Sequence, residues 1–131
     1  MNKTLGLYVH IPFCRSKCAY CDFYSACVSD GMLDSYTESL IREIKNWGGG
    51  LRRPVFDTVY FGGGTPSLLG GRLAAVTDAV YSAFEIAPGA EITLELNPTG
   101  DRSKTYGFMK TARKSGVNRL SVGAQSGSDR E

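Results

Sequence analysis

Segments of period two alternate with segments of period 3.6 along this chain, and that alternation narrows the fold more than any other feature. Leu5 to Ile11 reads as a strand, with Leu7, Val9 and Ile11 on one face and Tyr8 and His10 on the other. Pro12 stops it. From Leu33 to Trp47 the spacing predicts a helix with the stripe Leu33, Tyr36, Leu40, Ile41, Ile44 and Trp47, and Gly48 to Gly50 reads as the loop that ends it. Val55 to Phe61 is β-branched and aromatic, predicting a second strand that runs straight into Gly62-Gly63-Gly64-Thr65-Pro66. Leu73, Val76, Val80 and Phe84 mark a second helix that is over before Pro88. Glu91 to Asn97 predicts a third strand, with Ile92, Leu94 and Leu96 facing one way and Thr93, Glu95 and Asn97 the other. A third helix is expected over Ser103 to Ser115, with Phe108, Met109 and Ala112 inward and Gly116 as its stop. Arg119 to Gln125 alternates again and predicts a fourth strand.

The order is β-α-β-α-β-α-β, which implies an α/β fold with about four parallel strands and three helices. A filled (β/α)8 barrel packs bulky aliphatic side chains on its inner face. Here one whole face of the first, third and fourth strands is polar or small, so the aliphatic face is the one the helices cover. The polar face is then expected to line a wide or open barrel that holds a polar ligand. Parallel sheets are rarely left bare on one side, which weighs against simple exposure to solvent.

The chain has 131 residues, is 42% hydrophobic and carries a formal charge of +2. That is enough for one domain with a real core and too little charge to argue for nucleic acid. No apolar run is long enough to span a membrane. The N-terminus does not read as a secretory signal, so a reducing, cytoplasmic setting is expected. Cys14, Cys18 and Cys21 form a Cys-x3-Cys-x2-Cys array directly after the first strand. Three thiols in eight residues suit a soft metal. Zinc, with His10 or Cys27 as the fourth ligand, is one reading. An iron–sulfur cubane with one iron left open to a small molecule is another. Cys27 stands outside the array and reads as an ordinary thiol.

The Gly62-Gly63-Gly64 run follows a strand at the edge where α/β proteins bind ligands. Glycines there let a ligand approach the backbone and leave N–H and C=O groups free; a tight turn is the alternative. No Gly-Lys-Ser/Thr follows, so it is not a P-loop. Glu95 sits on the polar face of the third strand, where it could hydrogen-bond ligand hydroxyls or pair with a nearby cation.

The array and its flanks, Tyr8-Val9-His10-Ile11-Pro12-Phe13-Cys14 and Cys21-Asp22-Phe23-Tyr24-Ser25, resemble the radical S-adenosylmethionine (SAM) enzymes. Within them they resemble the oxygen-independent coproporphyrinogen III oxidase family, most of all its heme-chaperone branch. The resemblance runs from Tyr8 to Ser126. It implies a [4Fe-4S] cluster held by Cys14, Cys18 and Cys21, with SAM on the open iron. It places Tyr8, the backbone at Tyr20, Gly63, Gly64, Thr65, Glu95 and Gln125 against SAM. His10 reads equally as a satisfied core histidine or as a residue supporting that site from behind. The glycine segment, Glu95-Leu96-Asn97-Pro98 and the segment ending at Gln125-Ser126 each match a family motif.

In the oxidase branch this implies a radical oxidoreductase that converts propionates of coproporphyrinogen III to vinyls. In the other branch it implies a protein that binds heme and passes it to acceptors. Oxidases typically carry a further cysteine two positions after the last ligand. Phe23 stands there, which favours the chaperone branch. Gly127 replaces the family's usual aromatic residue, and Thr99-Gly100 inverts its usual order. A full barrel takes about 250 residues. Residues 1–131 are therefore expected to be the N-terminal part of a radical SAM core, truncated before closure and inactive alone. The porphyrin or heme contacts are expected beyond Glu131, and the electron donor is not specified by any residue here.

Overall fold

The computed structural model describes residues 5–16, 18–50, 54–98, 100–124 and 126–128. Its main sheet has four parallel strands in the order β1 (Leu5–Ile11), β4 (Val55–Gly63), β5 (Glu85–Leu96) and β6 (Arg119–Val122). Helices α1 (Asp30–Gly50), α2 (Leu73–Ala83) and α3 (Arg102–Lys114) join them, as the alternation predicts. A 3₁₀ helix, Pro66–Arg72, precedes α2. A second, two-residue parallel pair, β2 (Phe13–Cys14) with β3 (Ala26–Cys27), closes the base of the cysteine loop.

The helix-covered face of the sheet carries the core. Val9, Ile11, Val59, Phe61, Ile92 and Leu94 alternate along β1, β4 and β5 and are buried. They pack with Leu33 and Ile44 of α1 and Leu73, Val76 and Val80 of α2. Burying each such side chain contributes about 1.5–3 kcal/mol. Asp101 caps α3 by accepting from Ser103 N at 3.0 Å and Lys104 N at 3.2 Å. Gly116, at φ +93°, ends it as expected.

Three elements differ from the sequence expectation. Helix α1 runs through Gly48 to Gly50 instead of ending before them. A Cβ on Gly48 would lie 2.6 Å from the Ala83 carbonyl oxygen, so the glycine lets α1 and α2 approach closely. Trp47, placed on the buried stripe by its spacing, is exposed and lines a groove with Leu5, Phe56 and Phe84. Strand β5 begins at Glu85, before Pro88, because Glu85 and Ile86 pair with Val55 and Phe56. The register then shifts, and Thr58 meets Glu91. Asn118 pins the start of β6 against β5: its Oδ1 accepts from Ile92 N at 2.8 Å and its Nδ2 donates to Ala90 O at 2.7 Å. Strand β6 spans Arg119–Val122, and Gln125 lies outside the described residues.

Candidate cofactor site

The cysteine loop leaves the sheet at the carboxyl end of β1 and returns through β3. Its base is tied in four places. Ala26 N donates to Pro12 O at 2.8 Å, Gly64 N to Ile11 O at 2.8 Å, and Thr65 N to Phe13 O at 2.7 Å. The fourth tie runs through His10. Its Nε2 lies 3.3 Å from Tyr24 O, and its Nδ1 lies 2.9 Å from Tyr8 Oη. A carbonyl can only accept, so Nε2 carries a proton, and in the neutral ring Nδ1 accepts from the Tyr8 hydroxyl. Tyr36 of α1 donates to His10 O at 2.6 Å and meets the Phe13 ring edge-on at 4.9 Å. Burial, then the charge of Glu43 and then Tyr8, push the Tyr36 hydroxyl up.

The glycine turn is shaped for this docking. Gly64 has no room for a side chain, since a Cβ would sit 2.4 Å from Phe13 O. Gly63 adopts φ +121°, and a Cβ there would meet the His10 ring at 2.7 Å. The N–H groups of Gly63, Gly64 and Thr65 are all donated within the protein, to Glu95, Ile11 and Phe13. This differs from the expectation that the turn keeps its N–H groups free. The glycines instead bring the cysteine loop against β4.

Glu95 lies on the polar face of β5, half-buried. Its Oε1 accepts from Tyr60 Oη at 2.7 Å and its Oε2 from Gly63 N at 3.1 Å. Tyr60 was not among the residues picked from the sequence. It alternates with the buried Val59 and Phe61, so parity along β4 puts it on the polar face, and that signal was available. Its ring stacks on Tyr8, centroids 6.1 Å apart. The hydrogen bond to Glu95, burial and the carboxylate charge together push the Tyr60 hydroxyl up. Burial and then Glu95 do the same to Tyr8. A cavity of about 210 Å³ opens beside Glu95, between Gly64, Pro66, Asn97, Ser121 and Gly123. Next to it, a groove of about 470 Å³ is lined by Cys18, Arg15, Thr65, Asn97 and Lys104 among others.

Thr65 links this region to the array. Its hydroxyl lies 3.5 Å from Cys14 Sγ as donor and 3.5 Å from Asn97 Nδ2 as acceptor. Cys18 and Cys21 share a turn closed by Cys21 N to Cys18 O at 3.0 Å. A side-chain hydrogen bond to Cys18 is the main cause that raises the exposed Tyr20 hydroxyl. All three array thiols are free. They share one loop, but among the described residues no three Cys, His, Asp or Glu side chains are gathered closely enough to hold a metal ion. The donor set nevertheless fits an iron–sulfur cluster: three soft, unpaired thiols on a loop whose base is fixed. Ligand groups of this kind are commonly drawn together by the metal itself.

A parallel sheet with a cysteine loop and a glycine turn gathered at its carboxyl edge places the chain among α/β proteins that keep their loops at that edge. The chain belongs to the radical SAM superfamily, whose pattern matches residues 8–130. It is 43% identical to the heme chaperone HemW of Mycobacterium tuberculosis (strain CDC 1551 / Oshkosh) over 95% of this chain and 32% of that protein. It is 39% identical to the heme chaperone HemW of Escherichia coli (strain K12), over 95% of this chain and 33% of that one. An oxygen-independent coproporphyrinogen III oxidase of Bradyrhizobium diazoefficiens is 37% identical, over 95% and 28%. The solved structure of coproporphyrinogen III oxidase (HemN) from Escherichia coli, a radical SAM enzyme, superposes with a TM-score of 0.86 at 27% identity, covering 98% of this chain and 30% of that one. The chain thus spans about a third of the length of the curated relatives it matches. Among the described residues no helix is long and apolar enough to cross a membrane.

Proposed function

We propose that residues 1–131 form the N-terminal part of a radical SAM core of the heme-chaperone type, binding a [4Fe-4S] cluster and SAM. The observation that carries this reading is the docking of the Cys14–Cys18–Cys21 loop onto Gly64 and Thr65, beside a fixed Glu95. Cys14, Cys18 and Cys21 would hold the cluster, which when bound supplies one electron to SAM. Tyr8, Tyr20, Gly63, Gly64, Thr65, Glu95 and Gln125 would hold SAM. A carboxylate has about four lone-pair positions. Tyr60 and Gly63 take one on each oxygen of Glu95 and leave the others to accept from hydroxyl or amino groups of a ligand. Thr65 and Asn97 set the wall between that ligand and Cys14.

Heme or a porphyrin would be the partner of the whole protein, in a reducing cytoplasm that keeps the thiols free. Phe23, in place of a further cysteine, supports the chaperone reading over the oxidase. Anaerobic reconstitution with iron and sulfide should give a brown protein with about four irons per chain. Cys14→Ala, Cys18→Ala or Cys21→Ala should each abolish the colour, and Cys27→Ala should keep it. Bound zinc without labile sulfide, or loss of colour in Cys27→Ala alone, would overturn the assignment.

A further inference from the structure

Cys27 has no task in the fold or in the proposed cofactor site, yet its position is specific. The parallel pair at the base of the loop sets Phe13 opposite Ala26 and Cys14 opposite Cys27. Opposed residues on neighbouring strands project to the same face, and such strands run about 4.7–4.9 Å apart. A disulfide needs Cα atoms roughly 4.4–6.8 Å apart and side chains on a common side. Phe13 turns into the core, against Tyr36. Alternation therefore turns Cys14 to the opposite side of the strand, and its partner Cys27 with it. Cys27 is exposed, Cys14 is half-buried, and both are free thiols.

We propose that Cys14 and Cys27 are a redox-modification site, forming a reversible disulfide across the β2–β3 pair when the loop carries no cluster. The oxidant is a low-molecular-weight disulfide. One protein thiolate attacks a sulfur of the reagent, forming a mixed disulfide and releasing one reduced thiol. The second protein thiol then displaces the other. Two protein thiols are oxidised and one reagent disulfide is reduced to two thiols. A consequence, which rests on the cluster reading above, is that oxidation withdraws one of the three cluster ligands until a reductant returns it. The competing pair is Cys18 with Cys21, which share a turn.

The test is disulfide mapping of the full, metal-free chain after anaerobic treatment with oxidised glutathione and alkylation of the remaining thiols. Cleavage after Arg15 and Lys17 and before Asp22 puts Cys14, the Cys18–Cys21 pair and Cys27 on separate peptides. The expected result is a Cys14–Cys27 linked peptide as the main form of Cys14, lost on treatment with dithiothreitol. In Cys27→Ser, Cys14 should instead be recovered without a protein cross-link, as its glutathione mixed disulfide or as the alkylated thiol. Cys14 found chiefly linked to Cys18 or Cys21, or in the wild type alkylated or held as its glutathione mixed disulfide, would overturn the proposal. Iron loading of pre-reduced Cys27→Ser separates the two readings. Loading equal to wild type keeps Cys27 outside the ligand set, whereas a shortfall counts against the ligand assignment and leaves the mapped disulfide standing.

Discussion

The two faces of the sheet are built from the same strands and do different work. On the helix-covered face, Phe61 is 1% exposed among Val59, Ile92 and Leu94, and the side chains do nothing but exclude water. On the other face Tyr8 is 56% exposed and stacks on Tyr60, Tyr60 donates to Glu95, and Arg119 pairs with Glu91. One residue's step along β4, from Tyr60 to Phe61, crosses from one regime to the other. A strand with period two thus carries an apolar core face and a polar, hydrogen-bonded face side by side.

The largest expected effect tests that separation. Phe61→Ala should destabilise the chain by about 3–5 kcal/mol, read as a lower midpoint in urea unfolding. Tyr8→Ala, on the exposed face, should cost about 1 kcal/mol or less. Equal losses would mean the two faces are energetically one core.

Gly64→Ala comes next. The new Cβ would strike Phe13 O, a backbone atom that cannot swing aside, so β2 has to move. A loss of about 1–3 kcal/mol is expected. Hydrogen exchange should also speed up at the Gly64 and Thr65 amides, which donate to Ile11 and Phe13. Unchanged protection there would show that the glycine turn does not hold the loop.

Tyr60→Phe is the smallest of the three, about 0.5–1.5 kcal/mol at neutral pH. The Tyr60 hydroxyl donates to Glu95 and is held above its ordinary value of 10.0. Its contribution is therefore fully present below about pH 10 and is lost as pH rises through the folded-state value. The gap between wild type and Tyr60→Phe should be flat near neutrality and close above pH 10, as measured by unfolding across that range.

The same division explains what could be read from the sequence. Strand β1 falls where alternation puts it, Leu5–Ile11, because its apolar face has only one way to be buried. Helix α3 is found for the same reason, helped by Gly116. The passage of α1 through Gly48 leaves no local signal, since propensity sees only a helix breaker there and the close approach to Ala83 is tertiary. The β2–β3 pair is two residues long and leaves no pattern. At the site, the cysteine array was legible from its spacing and flanks. The Tyr60–Glu95 bond, between residues 35 apart in the chain, needed the strands to be set in register first.

If the reading is right, the cysteine loop and the polar strand face act as one cofactor site. SAM titrated calorimetrically into the reconstituted chain, wild type against Glu95→Ala, tests it most directly. The expected result is equal iron content in the two proteins and SAM affinity lower in Glu95→Ala by about 1–3 kcal/mol, roughly 5- to 150-fold. Equal SAM affinity at equal iron content would contradict it.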